Sequence, residues 1–431
     1  MAFRCASCGH TSGKWMGFCP NCGSGDPLEE VAAVSRGRST RSAPRPMPIS
    51  DVTSESTRRI STGIAEVDRV LGGGMVPGSV ILLGGEPGVG KSTLLLQVGG
   101  GLQGEGETVL IASAEESADQ VGLRAGRVGV SGEGIGIVSD DDIDAVIAAA
   151  EAAKPALLVV DSIQTMGVPE ILSAPGTVSQ VRESAARLVR FAKTTGTATV
   201  IVGHVTKEGG LAGPKMLEHM VDVVLYLEGD ADRGFRVLRS LKNRFGATHM
   251  AGMFDMRSDG LVAVEDPSQA FLSEWDPGVP GTVVFPAVEG RRSVLVEIQA
   301  LVVSSTFNQP RRSVRGLDPP RVGQVLAVLA RHGGVKTSDR DVYVNVVGGW
   351  RLAEPGVDLP VALAVVSSLK DLAVGRIAAW GELGLGGEVR PVPHEARRLE
   401  ESHRLGLDRV VAPAPGSGMR LRDALDACGL G

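Results

Sequence analysis

Apolar residues are distributed along the chain in two ways, and the change falls near residue 270. Between 60 and 265, five short runs are rich in Val, Ile and Leu and show no polar alternation: residues 79–85, 108–114, 155–162, 198–204 and 221–229. Such runs are typical of strands that are buried on both faces of a sheet. Helical stretches such as 178–196 lie between them. This pattern predicts an α/β domain with a parallel sheet over residues 60–270.

A different pattern begins at about residue 275. Residues 283–303 predict two strands joined by a turn, and residues 341–349 alternate like a further strand. Residues 320–334 predict a helix that ends at glycines, and 358–372 predict a second, apolar helix. We therefore expect a mixed α+β domain with its own core over 271–431.

The first 59 residues lack such apolar runs. Residues 35–46 contain four arginines, two prolines and no acidic residue, so they should not form a core. Residues 31–59 are predicted to be a basic flexible linker, either a solvated tether or a segment that also touches nucleic acid. Residues 1–30 hold four of the five cysteines.

Composition and charge change this picture only slightly. The net charge of −6 excludes a protein coated in basic surface, but a local groove or a ring lumen can still be basic. No apolar run approaches the roughly 18 residues of a membrane span, and the start lacks a signal-peptide core. We expect a cytoplasmic protein of 431 residues with two or three domains and no membrane contact.

The stretch after the first predicted strand matches the P-loop pattern in full. Gly85 is followed by four residues and then by Gly90, Lys91 and Ser92, between a predicted strand and a predicted helix. Glycines let backbone N–H groups surround phosphates, Lys91 would reach the β- and γ-phosphates of ATP, and Ser92 would bind Mg²⁺. The expected nucleotide-binding residues are Gly85, Glu86, Pro87, Gly88, Val89, Gly90, Lys91, Ser92 and Thr93.

Carboxylates follow two other predicted strands. Asp161 ends an apolar run and is expected to bind Mg²⁺ together with Ser92, although a strand-end aspartate can also cap a helix. Glu115 and Glu116 follow residues 108–114, where a glutamate faces the nucleotide crevice. Glu115 is the expected general base for the attacking water, and Glu116 is its rival.

The N-terminal cysteines are arranged in two pairs. Cys5 and Cys8 are separated by two residues, as are Cys19 and Cys22, with ten residues between the pairs. Four thiolates at this spacing suit tetrahedral Zn²⁺ and leave no open position. We expect a structural zinc site.

Taken together, these motifs resemble one family, the bacterial DNA repair proteins of the RadA type, over the whole chain. The likeness includes the cysteine head, GGEPGVGKST (84–93), VVDSIQT (159–165) and KNRFG (242–246), which is the most specific element. It implies a RecA-like core in which Glu115 is catalytic and His204 senses the nucleotide. As an alternative, His204 is a satisfied polar group at a strand end.

The resemblance also implies where DNA and a neighbouring subunit would bind. Segments 166–180 and 205–219 match two DNA-facing loops, in which Lys207 and Lys215 are candidate phosphate contacts or ordinary solvated lysines. Within KNRFG, Lys242 and Arg244 lie two residues apart on an extended segment and should point the same way. In a ring they can reach the γ-phosphate on the neighbouring subunit, as an arginine finger does; the alternative is a surface basic pair.

The C-terminal domain resembles the protease domain of Lon, notably in residues 381–413. A Lon-type protease needs a nucleophilic serine and a lysine that activates it. The serine position holds Val361 and the lysine position holds Ala396, while Ser367 and Ser368 lie further along the helix. We therefore expect a proteolytically inactive domain.

The expected function is that of a hexameric, DNA-dependent ATPase of recombination and repair, using ATP, Mg²⁺ and Zn²⁺. It would translocate on single-stranded DNA and promote branch migration of branched intermediates, with the RecA recombinase as a partner. Two alternatives remain: an ATP-dependent protease, and a RecA-like signalling ATPase that acts as a switch.

Overall fold

The computed structural model describes residues 2–5, 10–12, 14–25, 29–31, 58–204, 214–229, 235–248, 250–290, 292–306, 309–414, 416 and 418–431. The chain divides into two compact units, Met1–Ser56 and Thr57–Gly431. The first unit contains a small antiparallel sheet of order β2-β1-β3, formed by β1 (Ala2–Arg4), β2 (Thr11–Ser12) and β3 (Glu29–Val31).

The second unit begins with a nine-stranded sheet. Six of its strands are parallel: β4 (Val80–Gly85), β5 (Val109–Ser113), β6 (Ile135–Val138), β7 (Leu157–Asp161), β8 (Ala198–His204) and β9 (Val223–Gly229). Three antiparallel strands extend it: β10 (Phe235–Asn243), β11 (Ala251–Arg257) and β12 (Gly260–Ala263). The order across the sheet is β12-β11-β10-β9-β4-β8-β7-β5-β6. The predicted parallel α/β fold is confirmed.

Helices cover both faces of this sheet. They are α1 (Ala65–Leu71), α2 (Lys91–Gly104), α3 (Ala118–Arg127), α4 (Ile143–Ala153), α5 (Val178–Thr195) and α6 (Pro214–Glu218). In β4, Ile81 and Leu83 join the core beneath α1 and α2, whereas Val80 and Leu82 join the core beneath α4 and α5. Both faces of β4 are therefore buried, which explains why its apolar run does not alternate with polar residues.

A second sheet organises the C-terminal part, in the order β15-β16-β14-β13-β17-β20. Its strands are β13 (Thr282–Glu289), β14 (Arg292–Ser304), β15 (Arg312–Arg315), β16 (Arg340–Val346), β17 (Ile377–Ala379) and β20 (Arg409–Val411), with a separate pair β18 (Glu382–Leu383) and β19 (Val389–Arg390). The helices are α7 (Pro267–Phe271), α8 (Pro319–Val328), α9 (Asp358–Lys370), α10 (Glu395–Arg404) and α11 (Leu421–Ala427). A π-helical turn, Leu329–Gly333, continues α8, and short 3₁₀ turns cover Val347–Gly349 and Pro355–Val357.

The two sheets share a hydrophobic core. Val237 of β10 and Ala251 and Met253 of β11 belong to the same buried cluster as Phe271 and the interior of the C-terminal sheet. The domain division at residue 270 stays a prediction. Among the residues that the structure describes, no helix is both long enough and apolar enough to cross a membrane.

Candidate nucleotide-hydrolysis site

The P-loop lies between β4 and α2, at the carboxyl end of the parallel strands. Two of its glycines are required by the backbone. Gly90 has a φ of +114°, and a Cβ there would lie 2.5 Å from Met256 Cε. A Cβ on Gly85 would lie 2.6 Å from the carbonyl oxygen of Leu227. The residues predicted to bind the nucleotide, 85–93, are thus brought together in one tight turn and the first turn of a helix.

The Lys91 ammonium is buried and folded onto its own loop. Its Nζ donates hydrogen bonds to the carbonyl oxygens of Gly85, at 2.9 Å, and Glu86, at 3.0 Å. Burial lowers the pKa of Lys91, and the nearby carboxylates of Asp161 and Glu115 oppose that shift. Since carbonyl oxygens resemble phosphate oxygens as acceptors, the lysine is already oriented into the space enclosed by the loop.

Ser92 and Asp161 meet where Mg²⁺ is expected. Ser92 Oγ donates a 2.6 Å hydrogen bond to Asp161 Oδ2, which joins the first turn of α2 to the end of β7. A hydroxyl and a carboxylate are hard oxygen donors, and Mg²⁺ is commonly held by one or two protein oxygens while it retains water and phosphate ligands. These two side chains therefore fit the ion.

The two candidate bases occupy different environments. Glu115 accepts a 2.5 Å hydrogen bond from Ser162 Oγ, beside Asp161, and its charge acts on Lys91. Glu116 forms an ion pair with Arg124 of α3. Glu116 also borders a small recess behind Asp161, but its carboxylate is engaged by the guanidinium. The geometry favours Glu115, whose role as the base stays a prediction.

Two neighbours of the site were not anticipated from the sequence. Ser162 orients Glu115, and Arg236 of β10 donates from Nε to the carbonyl oxygen of Val89 at 3.0 Å. Arg236 is 5% exposed, so it supports the P-loop from beneath. An arginine inside an otherwise apolar strand pattern (FRVL) was the only available signal, and it does not specify a partner.

The segments expected to face DNA are only partly described. The backbone of His204 pairs with Gly85, so β8 ends beside the P-loop, and the nucleotide-sensing role of His204 stays a prediction. Lys207 lies outside the described residues, and only the backbone of Lys215, in α6, is described. The proposed DNA contacts of both lysines stay predictions.

The segment 166–180 is held by one buried glutamine. Gln180 Oε1 accepts from the backbone N–H of Val168 at 2.8 Å, and Nε2 donates to the carbonyl oxygens of Ile171 and Ser173 at 3.0 and 2.7 Å. The tip is open to solvent, with Leu172 fully exposed. The loop therefore presents a defined surface beyond the carboxyl end of β7.

Lys242 and Arg244 lie towards the amino end of the parallel strands, whereas the P-loop of the same chain lies at their carboxyl end. Lys242 pairs with Val224, and the backbone N–H of Arg244 donates to Asp222, which is aligned with the start of β4. Arg244 is thus level with Val80, five residues or about 16 Å before Gly85 along the strand, and Lys242 is level with Leu82, three residues or about 10 Å before it. The Lys242 ammonium is bonded to the carbonyl oxygens of Glu218 and Val221 and the Arg244 guanidinium to Asp222, so both cations are directed away from the P-loop of their own chain.

The remaining residues of KNRFG anchor this corner of the sheet. Asn243 Nδ2 donates to the carbonyl oxygen of Leu71 at the end of α1, at 3.1 Å. The Phe245 ring lies 6.0 Å from the ammonium of Lys193, and its carbonyl accepts from Arg59 Nη2. The motif thus connects α1, α5 and the sheet, which explains why these residue types occur together.

Three of the four predicted zinc ligands are described, and they converge. The Sγ atoms of Cys5, Cys19 and Cys22 lie within 4.8 Å of one another, and Cys5 and Cys22 are 3.8 Å apart. Tetrahedral ligands at about 2.3 Å from zinc stand roughly 3.8 Å from each other. Cys8 lies outside the described residues. The cysteines fit a tetrahedral metal.

The positions that correspond to the Lon dyad carry no chemistry. Val361 is 1% exposed inside α9, and Ala396 lies on α10. Ser367 Oγ is committed to the Gly281 N–H and the Leu372 carbonyl, at 2.8 and 2.5 Å. That the domain is proteolytically inactive stays a prediction.

The chain resembles known proteins in both its nucleotide-binding part and its cysteine head. A family profile described as an AAA domain matches residues 43–210, and one described as a rubredoxin metal binding domain matches residues 3–30. Among solved structures, a KaiC-like protein from Pyrococcus horikoshii aligns with 48% of this chain and 99% of its own, at 24% identity and a TM-score of 0.41.

Full-length relatives are more informative. The DNA repair protein RadA of Bacillus subtilis is 44% identical over 96% of this chain and 92% of its own length. RadA of Listeria monocytogenes is 45% identical over 96% and 92%, and RadA of Pseudomonas aeruginosa is 46% identical over 99% and 98%. The chain therefore belongs to the family of RadA DNA repair proteins.

Proposed function

We propose that this protein is a DNA-dependent ATPase of DNA repair that moves on single-stranded DNA and promotes branch migration. The observation that carries the ATPase is the 2.6 Å contact of Ser92 with Asp161, flanked by Lys91 and Glu115. The DNA part rests on the family and on the arrangement of KNRFG. Proteins that bear the name RadA are described as DNA repair proteins.

Each residue of the site has a defined task in this proposal. Lys91 and the backbone of residues 85–93 bind the phosphates, and Ser92 and Asp161 hold Mg²⁺. The ion, when bound, neutralises charge on the phosphate oxygens. Glu115 orients the attacking water and accepts its proton, while Ser162 fixes the orientation of that carboxylate. Products are ADP and inorganic phosphate.

A ring is the arrangement that gives the KNRFG cations a nucleotide to act on. Because Lys242 and Arg244 lie towards the amino end of the parallel strands and are bonded to Glu218, Val221 and Asp222 there, they would serve hydrolysis on another subunit. We propose a homo-hexamer in which this end of the sheet faces the neighbouring P-loop. DNA would pass through the lumen along segments 166–180 and 205–219.

The cysteine head completes the proposal. Cys5, Cys8, Cys19 and Cys22 would hold Zn²⁺, and the head would contact a partner such as the RecA recombinase. Proteolysis is disfavoured because Val361 and Ala396 replace the required serine and lysine. A cytoplasmic location agrees with this role.

The test is ATP hydrolysis by the purified protein with and without single-stranded DNA. Lys91→Ala is the matched inactive control, since it removes the phosphate-binding ammonium. We expect strong stimulation by DNA and turnover at background level in the variant. Hydrolysis that ignores DNA would favour a signalling ATPase, and full activity of Lys91→Ala would refute the P-loop assignment.

A further inference from the structure

The two cations of KNRFG are held by different partners in this chain. Lys242 Nζ donates to the carbonyl oxygens of Glu218 and Val221, at 2.6 and 2.9 Å. Arg244 Nη1 donates instead to the carboxylate of Asp222, at 3.2 Å. Any action on a neighbouring nucleotide requires the cation to leave these partners, so the partners determine which cation is free to move.

The Arg244 side chain can leave without exposing a bare buried charge. Asp222 is buried, but it keeps Lys193 Nζ at 2.6 Å and the Val80 N–H at 3.0 Å. The Arg244 side chain is 55% exposed, so the guanidinium is already partly hydrated where it meets Asp222. Its backbone N–H stays bonded to Asp222, so the guanidinium swings from a fixed point.

Lys242 is in the opposite situation. Its ammonium caps the carbonyl oxygen of Glu218 at the carboxyl end of α6 and that of Val221 in the following turn. Both carbonyl oxygens lose a charged donor if the ammonium leaves. Burial and the adjacent charge of Arg244 lower the pKa of Lys242. Departure of the guanidinium would remove the repulsion from Arg244 and leave the two carbonyl bonds of Lys242 in place.

The turn closed by Lys242 is built into the core and continues a segment assigned to DNA. Leu217 and Val221 are fully buried, and the N–H groups of Met220 and Val221 donate to the Leu217 carbonyl at 2.9 and 3.1 Å. Residues 214–219 form the described end of the segment expected to face DNA. The ammonium thus fixes the point at which that segment rejoins the sheet.

We propose that the two cations have separate tasks: Arg244 is the residue released to the neighbouring subunit's nucleotide, and Lys242 is a positioning residue that anchors the end of the DNA-facing segment of its own chain. The inference rests on the proposed function for the task of Arg244. The task of Lys242 rests on its contacts alone. The same motif would then act on two ligands, a nucleoside triphosphate in trans and single-stranded DNA in cis.

Mixed rings separate the two tasks. Lys91→Ala subunits lack a working P-loop but keep both cations, so in a one-to-one mixture they can supply Arg244 to the intact P-loop of an Arg244→Gln subunit. Roughly a quarter of the interfaces in a random ring have that composition. We expect hydrolysis to recover in that mixture to about a quarter of the wild-type rate.

A mixture of Lys91→Ala with Lys242→Met should not recover DNA-stimulated hydrolysis, because the defect of Lys242→Met lies within its own chain. Recovery to the same extent would overturn the division of tasks.

Hydrogen exchange and DNA affinity read the anchor directly, without hydrolysis. In Lys242→Met we expect the amides of Met220 and Val221 to exchange about tenfold faster, and a thymidine oligonucleotide to bind about tenfold more weakly without nucleotide. Lys242→Arg, which can still donate to two carbonyls, should restore both, and Arg244→Gln should change neither by more than about twofold.

The failures are distinguishable. Unchanged exchange and unchanged DNA affinity in Lys242→Met would refute the anchor whatever the ATPase does. A different outcome is faster exchange and weaker DNA binding in Lys242→Met with no recovery of hydrolysis in the Arg244→Gln mixture. That outcome would support Lys242 as the anchor of the DNA-facing segment and refute the action of Arg244 on a neighbouring subunit. Circular-dichroism melting of each variant identifies any loss of fold.

Discussion

The choice between Glu115 and Glu116 gives the sharpest test of the hydrolysis site. In Glu115→Gln, Ser162 Oγ can still donate to the amide oxygen, so the side chain keeps its orientation and loses only its basicity. The proposal predicts intact ATP binding and a large fall in kcat. In Glu116→Gln, the ion pair with Arg124 is weakened and little else changes.

The expected magnitudes differ widely. Removing a positioned general base typically lowers the rate by about 10²–10⁴-fold, which is roughly 3–5 kcal/mol in activation free energy. The Glu116–Arg124 pair is partly solvated, with side-chain exposures of 32% and 26%. A pair of this kind contributes about 0–1 kcal/mol to stability, so turnover in Glu116→Gln should stay within about threefold of the wild type.

The assay is steady-state phosphate release at saturating ATP and single-stranded DNA, with nucleotide affinity measured separately. A fall in kcat at constant affinity shows that the lost interaction belongs to the transition state. Glu116→Gln is the matched control, since it removes the same charge one residue away.

Three results would refute the reasoning. If Glu115→Gln turns over ATP within about tenfold of the wild type, its carboxylate is not the base. If Glu116→Gln is instead the inactive variant, the Glu116 side chain leaves Arg124 during turnover, and Glu116 is the base. Loss of ATP binding in Glu115→Gln would indicate a role in the ground state and would also contradict the assignment.

Four further predictions concern other parts of the chain. Asp222→Asn should destabilise the protein most above about pH 5 and progressively less as the pH falls below 3.8. Burial raises the pKa of Asp222, but its hydrogen bonds and nearby cations outweigh that effect and lower the pKa, so the stabilising charge is lost only in acid. Equal shifts in melting temperature at every pH would contradict this. Cys19→Ser should reduce the amount of bound zinc, measured by metal analysis. Burial raises the pKa of Cys428 to about 11, so that thiol should react with iodoacetamide at pH 8 about 100-fold more slowly than an ordinary thiol. Rapid alkylation of the folded protein would contradict its burial. Val361→Ser should create no casein-degrading activity, since Ala396 supplies no base, and should lower stability by about 1–3 kcal/mol by placing a hydroxyl in an apolar core.

Sequence patterns predicted five of the six parallel strands, because those five are buried on both faces; Ile81 and Leu82 of β4, for example, belong to the cores on opposite sides of the sheet. They did not predict β6, which lies at the edge of the sheet and is only partly buried. They missed β10–β12 as a sheet extension. There FRVLRSLKN carries Arg236 on the side of the P-loop and Lys242 towards α6, and both polar residues break the apolar signal. Tertiary contacts, rather than local propensity, make this segment a strand.

The site itself was predictable where chemistry fixes the spacing. The P-loop, Asp161 and the cysteine pairs depend on short motifs, whose meaning is carried by a few adjacent residues. Partners that are distant in sequence were not predictable. Ser162 meets Glu115 across 47 positions, and Asn243 meets Leu71 across 172, and neither pairing leaves a local pattern.

The hydrophobic core shared by the two sheets has a mechanical consequence. Val237, Ala251 and Met253 of the nucleotide-binding sheet pack directly into the interior of the C-terminal sheet. A displacement of either sheet would therefore be transmitted to the other through this packing. Cutting the chain at residue 270 would leave these three side chains in water, so the ATPase part would be a poor folding unit by itself.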